Sequence, residues 1–319
     1  MERRRLGRSE LRFAPLMFGG NVFGWTADEA MSHKLLDAFV DAGFNAIDTA
    51  DVYSTWVEGH QGGESEAIIG TWLKKRGGRD KVIIATKVGS DMGGGKKGLA
   101  PAYIKQAVEA SLRRLQTDYI DLYQSHYDDE GVAQAETMAV YADLVRQGKV
   151  RVIGASNFSA ERLTGAEKAA AKGGPRYESL QPCYNLYDRS EYEGVLQGLC
   201  LREEIGVISY FSLASGFLTG KYRDKRDLGQ SARGEDVEKY FDARGTRILA
   251  ALDQVAARYQ VKPAQIALAW LLTRPGITAP IASATSLSQL ETLTGAARLK
   301  LDAEAIGQLT AASDEPSRE

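Results

Sequence analysis

Cysteine is almost absent: Cys183 and Cys200 are the only two in 319 residues. Two thiols cannot staple a chain of this length, and no C-x-x-C pair or Cys/His cluster offers a zinc site. Two reduced thiols and a cytoplasmic location are the expectation. No apolar run approaches the roughly 18 residues of a membrane span. The opening MERRRLGRSE has no apolar stretch of the kind a secretion signal carries. An excess of one charge is missing too: 40 Lys and Arg stand against 42 Asp and Glu, a net charge of −2. That argues against nucleic acid or an anionic membrane as a partner. There is no internal repeat at solenoid spacing.

What remains is ordinary globular material, 44% hydrophobic and 26% charged. The length suits one barrel-sized domain over 1–319. RRRL and LRF flank Gly7-Arg8-Ser9 and read as a β-hairpin. Strand-like and helix-like runs then alternate. The strands are expected at 16–18, 45–48, 82–87, 119–124, 150–155, 178–181, 206–210 and 278–282. The helices are expected at 28–41, 65–75, 101–115, 135–147, 159–171, 190–204, 245–259, 263–273 and 288–296, with another near 302–312. Ser159 and Ser288 are candidate N-caps, and Pro101 and Pro263 suit a first helical turn. Eight strand–helix units imply a parallel sheet closed into a (β/α)8 TIM barrel with an N-terminal hairpin. The rival is an open doubly wound sheet. It usually carries G-x-G-x-x-G after its first strand, and Gly19-Gly20-Asn21 does not supply that. Two long loops, 91–99 and 221–240, follow the third and seventh strands, on the face where barrel enzymes carry their sites.

Three consecutive strand-like runs stop at a polar residue. GFNAIDTADVY offers Asp48 and then Tyr53, KVIIATK ends in Lys87, and YIDLYQSH ends in His126. These groups meet only if the strands end on one face. Together they suit carbonyl reduction, in which a hydride creates an alkoxide that needs a proton. A tyrosine of pKa near 10 is a slow acid at neutral pH. A nearby ammonium is expected to lower it, and a carboxylate to hold that ammonium. Hence Tyr53 is read as acid/base, Lys87 as its tuner, Asp48 as the lysine's partner and His126 as the carbonyl's orienter. Singly, each has a plainer reading: a packed aromatic, a solvent-reaching lysine, a core histidine. The conjunction points to chemistry.

The chain resembles the aldo-keto reductases, including the bacterial members similar to voltage-gated potassium channel β-subunits. The resemblance runs from RLGRSELRFAPLMFGGNVFGW through GFNAIDTADVY, IATKVG, LYQSH, GASNF, SLQPCYNL and GFLTGKY to ETLTGAARLKL. It implies a (β/α)8 barrel binding NADP(H) or NAD(H) without a Rossmann domain, and the four roles just given. It implies that Ser156, Asn157 and Gln181 hold the nicotinamide carboxamide and that Tyr210 stacks on the ring. Leu213, Ser215 and Lys221 would approach the pyrophosphate. Asn21 would meet the nicotinamide end. Ser283, Thr285 and Gln289 would lie toward the adenosine. Two departures matter. Phe211 replaces a serine common after the seventh strand. Thr285 stands where NADPH-preferring members often have Arg or Lys, and Arg233 in SARG matches an arginine that could replace that charge.

NADP(H) is therefore expected over NAD(H), and the substrate is a small carbonyl or sugar-like molecule. Trp25, Trp56 and Tyr127 flank the tetrad as candidate pocket walls. Asp128 and Asp129 are candidates for binding sugar hydroxyls, or else are solvated charges. Trp72 and Trp270 read as core. The alternatives are an NAD-dependent sugar or polyol dehydrogenase and a cofactor-sensing, non-catalytic subunit. No metal site is expected, since His126 has no partner ligands. A homo-oligomer is compatible with the sequence but nothing in it points to one.

Overall fold

The computed structural model describes residues 1–170 and 173–314. The chain opens with the expected hairpin. β1 (Arg4–Arg5) and β2 (Arg12–Phe13) pair antiparallel, Arg4 opposite Phe13. Gly7 takes φ +57 in the turn, and a β-carbon there would come within 2.4 Å of the Glu178 carbonyl oxygen. Only glycine serves at that position.

Eight strands follow: β3 (Met17–Gly19), β4 (Ala46–Asp48), β5 (Ile83–Val88), β6 (Ile120–Ser125), β7 (Val150–Ser156), β8 (Tyr177–Gln181), β9 (Gly206–Val207) and β10 (Ile281–Ala282). All pair parallel, in the order β10-β3-β4-β5-β6-β7-β8-β9. Thr278 N donates to the Val207 carbonyl at 2.7 Å and Ile281 N to the Ser209 carbonyl at 2.8 Å, joining the two edges. The expected (β/α)8 barrel is what forms.

Strand alternation then places the site. Met17, Ala46, Ile83, Ala85, Leu122, Ile208 and Ile281 form an apolar cluster with Leu6, Leu11 and Phe13 of the hairpin, which plugs one end of the barrel. Two residues further along the same strand faces come Asp48, Lys87 and Gln124. A period of two therefore turns the apolar row into a polar row at the C-terminal rim.

The helices are α1 (Glu29–Asp41), α2 (Glu64–Arg76), α3 (Pro101–Leu115), α4 (Gln134–Arg146), α5 (Ala160–Ala169), α6 (Val195–Arg202), α7 (Ala243–Tyr259), α8 (Pro263–Thr273), α9 (Leu287–Ala296) and α10 (Ala303–Ser313). α7 and α10 pack on each other outside the eight repeating units. Trp72 and Trp270 are buried, as expected. Among the described residues no helix is long and apolar enough to cross a membrane.

Several boundaries differ from expectation. The seventh barrel strand stops at Val207, and Tyr210 touches Cys183 only as an isolated bridge. Beyond Val207, Ile208 N still donates to the Leu180 carbonyl and Tyr210 N to the Pro182 carbonyl, each at 3.0 Å, and left-handed φ at Phe211, Ala214 and Ser215 (51°, 48° and 54°) comes only after that line. α6 begins at Val195 rather than 190, because Gly194 (φ 94) breaks the helix before it. α9 is capped by Ser286, not Ser288, which lies within the helix; the Ser286 hydroxyl accepts from Gln289 N. Ser159 caps α5 as expected. The expected end of that helix at 171 lies outside the described residues. The loop 221–240 contains two short 3-10 turns, Lys225–Gln230 and Glu235–Tyr240.

Candidate active site

A cavity of about 1010 Å³ opens at the C-terminal rim. At its floor Lys87 is fully buried and spends all three ammonium protons: on Asp48 Oδ2 at 2.7 Å, the Thr49 carbonyl at 2.8 Å and Tyr53 Oη at 3.1 Å. The second Asp48 oxygen accepts from Gln181 Nε2 at 2.9 Å, and that amide also reaches Gln124 Oε1 at 3.4 Å. Tyr53 sits on the loop after β4, its carbonyl accepting from Gly63 N at 2.8 Å. The Tyr53 and His126 rings are 6.1 Å apart. The structure thus brings Asp48, Tyr53, Lys87 and His126 together.

Charge and burial set the protonation states. Burial pushes the Tyr53 hydroxyl up; the Lys87 ammonium pulls it down and Asp48 raises it again, and the net direction is up. The lowered phenol expected from the sequence is not found, because desolvation outweighs the ammonium. Burial would depress Lys87, but Asp48 and Tyr53 outweigh it, so Lys87 stays a cation. Burial, and then the Lys87 charge, hold His126 well below the ordinary imidazole range. His126 is therefore neutral, and its Nδ1 is buried without a hydrogen-bond partner.

The other expected positions line the same cavity. Ser156 Oγ donates to the Gln181 carbonyl at 2.9 Å. Asn157, at φ 57, donates from Nδ2 to the His126 carbonyl at 3.0 Å and to Ser156 Oγ at 3.1 Å, and accepts from Tyr210 Oη at 2.8 Å. Asn21 Oδ1 accepts from Ser283 Oγ at 2.6 Å, tying the first strand's loop to the last. Thr285 donates to Gln289 Oε1 from N at 2.8 Å and from Oγ1 at 3.1 Å. Leu213, Ser215 and Lys221 lie on the wall after β9. The Arg233 guanidinium stacks over Trp25 at 5.2 Å, and burial holds it below its ordinary range. Its charge is close enough to Tyr53 to draw that hydroxyl down. Trp25 and Trp56 touch edge to face at 5.7 Å, and Tyr127 stacks on His126 at 5.1 Å.

Sequence reasoning passed over some participants. Lys262, just before α8, lines the cavity and donates to Thr292 Oγ1 at 3.3 Å. Nothing local marks it. Gln124 was findable, standing two residues after inward Leu122. Among the described residues no three His, Cys, Asp or Glu side chains are grouped to hold a metal.

A buried lysine bridging a carboxylate and a phenol at a barrel rim, beside a neutral imidazole, is an arrangement for proton delivery. Comparison with known proteins gives the family. The model of the aldo/keto reductase family matches residues 15–314. The chain belongs to this family. It is 31% identical to Protein tas of Escherichia coli K12 over 98% of this chain and 97% of the relative. It is 36% identical to the aldo-keto reductase YhdN of Bacillus subtilis, over 86% and 81%. It is 32% identical to a probable voltage-gated potassium channel β subunit of rice, over 91% and 89%. Family membership makes the chain an oxidoreductase whose relatives generally use NAD(P)H.

Proposed function

We propose that this family member is an NADP(H)-dependent reductase of aldehydes or ketones, with Tyr53 as proton donor. The observation that carries this is the Lys87–Tyr53 hydrogen bond at 3.1 Å, on a lysine already held by Asp48 at 2.7 Å.

The cavity suits the cofactor. Lys221 and Arg233 line it with no carboxylate partner among the described residues, and Lys262 bonds only a hydroxyl there. Arg233 is half-buried, with Asp236 acting on it only at a distance, and a partly desolvated guanidinium favours an anionic ligand. Several such cations fit a phosphate-rich ligand, and the added cation Lys262 favours NADP(H) over NAD(H) despite Thr285. Ser156, Asn157 and Gln181 would hold the carboxamide, with Tyr210 against the ring. Leu213, Ser215 and Lys221 would meet the phosphates, and Asn21, Ser283, Thr285 and Gln289 the two ends. Bound there, the reduced nicotinamide supplies a hydride to the carbonyl carbon.

The residues do the rest. Neutral His126 offers an imidazole N–H to the carbonyl oxygen. Tyr53, protonated at neutral pH, donates to the developing alkoxide, which is far more basic than a phenolate. Lys87 stabilises the tyrosinate left behind, and Asp48 keeps Lys87 in place.

Tyr53→Phe is expected to lower kcat/KM with a simple aldehyde by about 10²–10⁴-fold, with NADPH still bound. Wild-type turnover in that variant would remove Tyr53 from the role. The rice relative named as a channel subunit supports a second reading, a cofactor-sensing subunit. NADPH binding without turnover of any carbonyl would favour it.

A further inference from the structure

We infer that Met92 is a modification site: a peroxide converts its thioether to the sulfoxide, and that change unseats the turn carrying Tyr53. Met92 stands in the glycine-rich loop that follows β5, the strand of Lys87. The loop closes on itself. Gly98 N donates to the Gly89 carbonyl and Met92 N to the Lys96 carbonyl, each at 3.0 Å. The Met92 side chain leaves this closed loop and lands on the neighbouring one. A β-carbon at Gly62 would come within 2.6 Å of the Met92 methyl, 2.8 Å of the Asp51 carbonyl oxygen and 3.0 Å of the Thr55 methyl. Gly62 takes φ +89 there. The next residue, Gly63, donates from N to the Tyr53 carbonyl at 2.8 Å. The thioether therefore packs one residue away from the backbone clamp on the tyrosine.

Its surroundings suit oxidation. Met92 is partly exposed, and β-carbons added at Gly93, Gly94 and Gly95 would meet nothing within 4 Å, so a small oxidant has a clear approach. Of the five methionines, Met17 and Met138 are buried, Met1 is terminal and Met31 lies on α1. Burial pushes the Cys183 and Cys200 thiols up to about 12, which keeps both in the protonated, unreactive form.

The step balances with a peroxide as the only co-reactant. The Met92 sulfur gives an electron pair to one peroxide oxygen and the O–O bond breaks. The other oxygen leaves with both protons as water. Sulfur is oxidised by two electrons and the peroxide is reduced. Tyr103 Oη now donates to Met92 Sδ at 3.8 Å. Burial, and then the Asp51 charge, push that phenol up to about 12, so it stays a donor. A thioether is a weak acceptor, whereas the oxidised side chain is polar and larger. The new oxygen takes the Tyr103 hydrogen bond and needs space at a contact where Gly62 leaves none. Loop and turn separate, the Gly63 clamp loosens, and the Tyr53 hydroxyl loses its place beside Lys87.

The test treats the enzyme with hydrogen peroxide, then with dithiothreitol to reverse thiol oxidation. Aldehyde reduction with NADPH is followed beside peptide masses. One added oxygen is expected on the Met92 peptide before any on Met17 or Met138. A fall in kcat/KM of about tenfold to a hundredfold should track it. A methionine sulfoxide reductase should restore both. Met92→Leu keeps the volume without the sulfur, so it should start near the wild-type rate and hold it through peroxide. Hydrogen exchange over residues 54–63 should quicken in the oxidised wild type and not in Met92→Leu. Full activity with Met92 oxidised, or equal loss in Met92→Leu, overturns the inference. If no carbonyl is reduced, the reductase reading falls and exchange decides alone: quickening at 54–63 upholds the site, and unchanged exchange with Met92 oxidised overturns it.

Discussion

With its protons on Asp48, Thr49 and Tyr53, Lys87 has none left for water. Lys87→Met would leave the Asp48 carboxylate buried with Gln181 as its remaining side-chain partner. Breaking a buried pair in this way costs about 3–5 kcal/mol, so the urea midpoint should fall sharply. A variant as stable as wild type would mean that Asp48 is not held as a charge. At this scale the sequence was informative about side chains and silent about backbone. Asp48, Lys87 and His126 could be read because each closes an apolar run. The Thr49 carbonyl could not, since a backbone oxygen leaves no trace in residue identity. The direction of the Tyr53 shift was also hidden, because burial belongs to the fold and not to the charged residues near the hydroxyl.

Strands and helices were legible where one periodicity held over several residues, as in Ile83–Val88 or Pro101–Leu115. They were misread where backbone conformation, not apolar pattern, sets the end. Ile208–Tyr210 keep hydrogen bonds to neighbouring strands without a regular ladder, and Gly194 delayed a helix. Ser286 and Ser288 are equal as capping residue types; only the path of the chain entering α9 selects between them. The hairpin offers the clearest element-level test. Phe13 is wholly buried against the barrel floor, so Phe13→Ala is expected to cost about 3–5 kcal/mol. Hydrogen exchange should quicken in Arg4–Arg5 and Arg12–Phe13 first, while cofactor affinity at the opposite rim holds. Equal loosening at the rim would show that floor and site are one cooperative unit.

Across the whole molecule, Asp51 makes stability sensitive to pH. It is 1% exposed, and neither carboxylate oxygen has a hydrogen-bond partner among the described residues. Nearby Glu66 occupies Arg114 at 2.7 Å and Thr86 at 2.6 Å. Burial, and then the Glu66 charge, push Asp51 up to about 8, against the pull of Arg114, the Val52 backbone and Lys87. The folded state therefore keeps a proton that the unfolded chain has lost above its ordinary value of 3.8. Stability falls between those limits as pH rises, by about 1.4 kcal/mol per unit at most, and levels off above 8. Asp51→Asn removes the titration, so its melting temperature should change less between pH 6 and pH 8 than that of wild type. Parallel curves would assign the slope to other groups. The plugged floor has a consequence of a different kind. With Leu6, Leu11 and Phe13 sealing one end, the barrel is a cul-de-sac, and traffic through it follows the rule of a stack. Buried Ser156 and Gln181 lie deep, and half-exposed Trp56 and Tyr127 stand at the door. Should the larger ligand take the deep end as proposed, it would be loaded first and released last, and the small molecule at the door would set how long it waits.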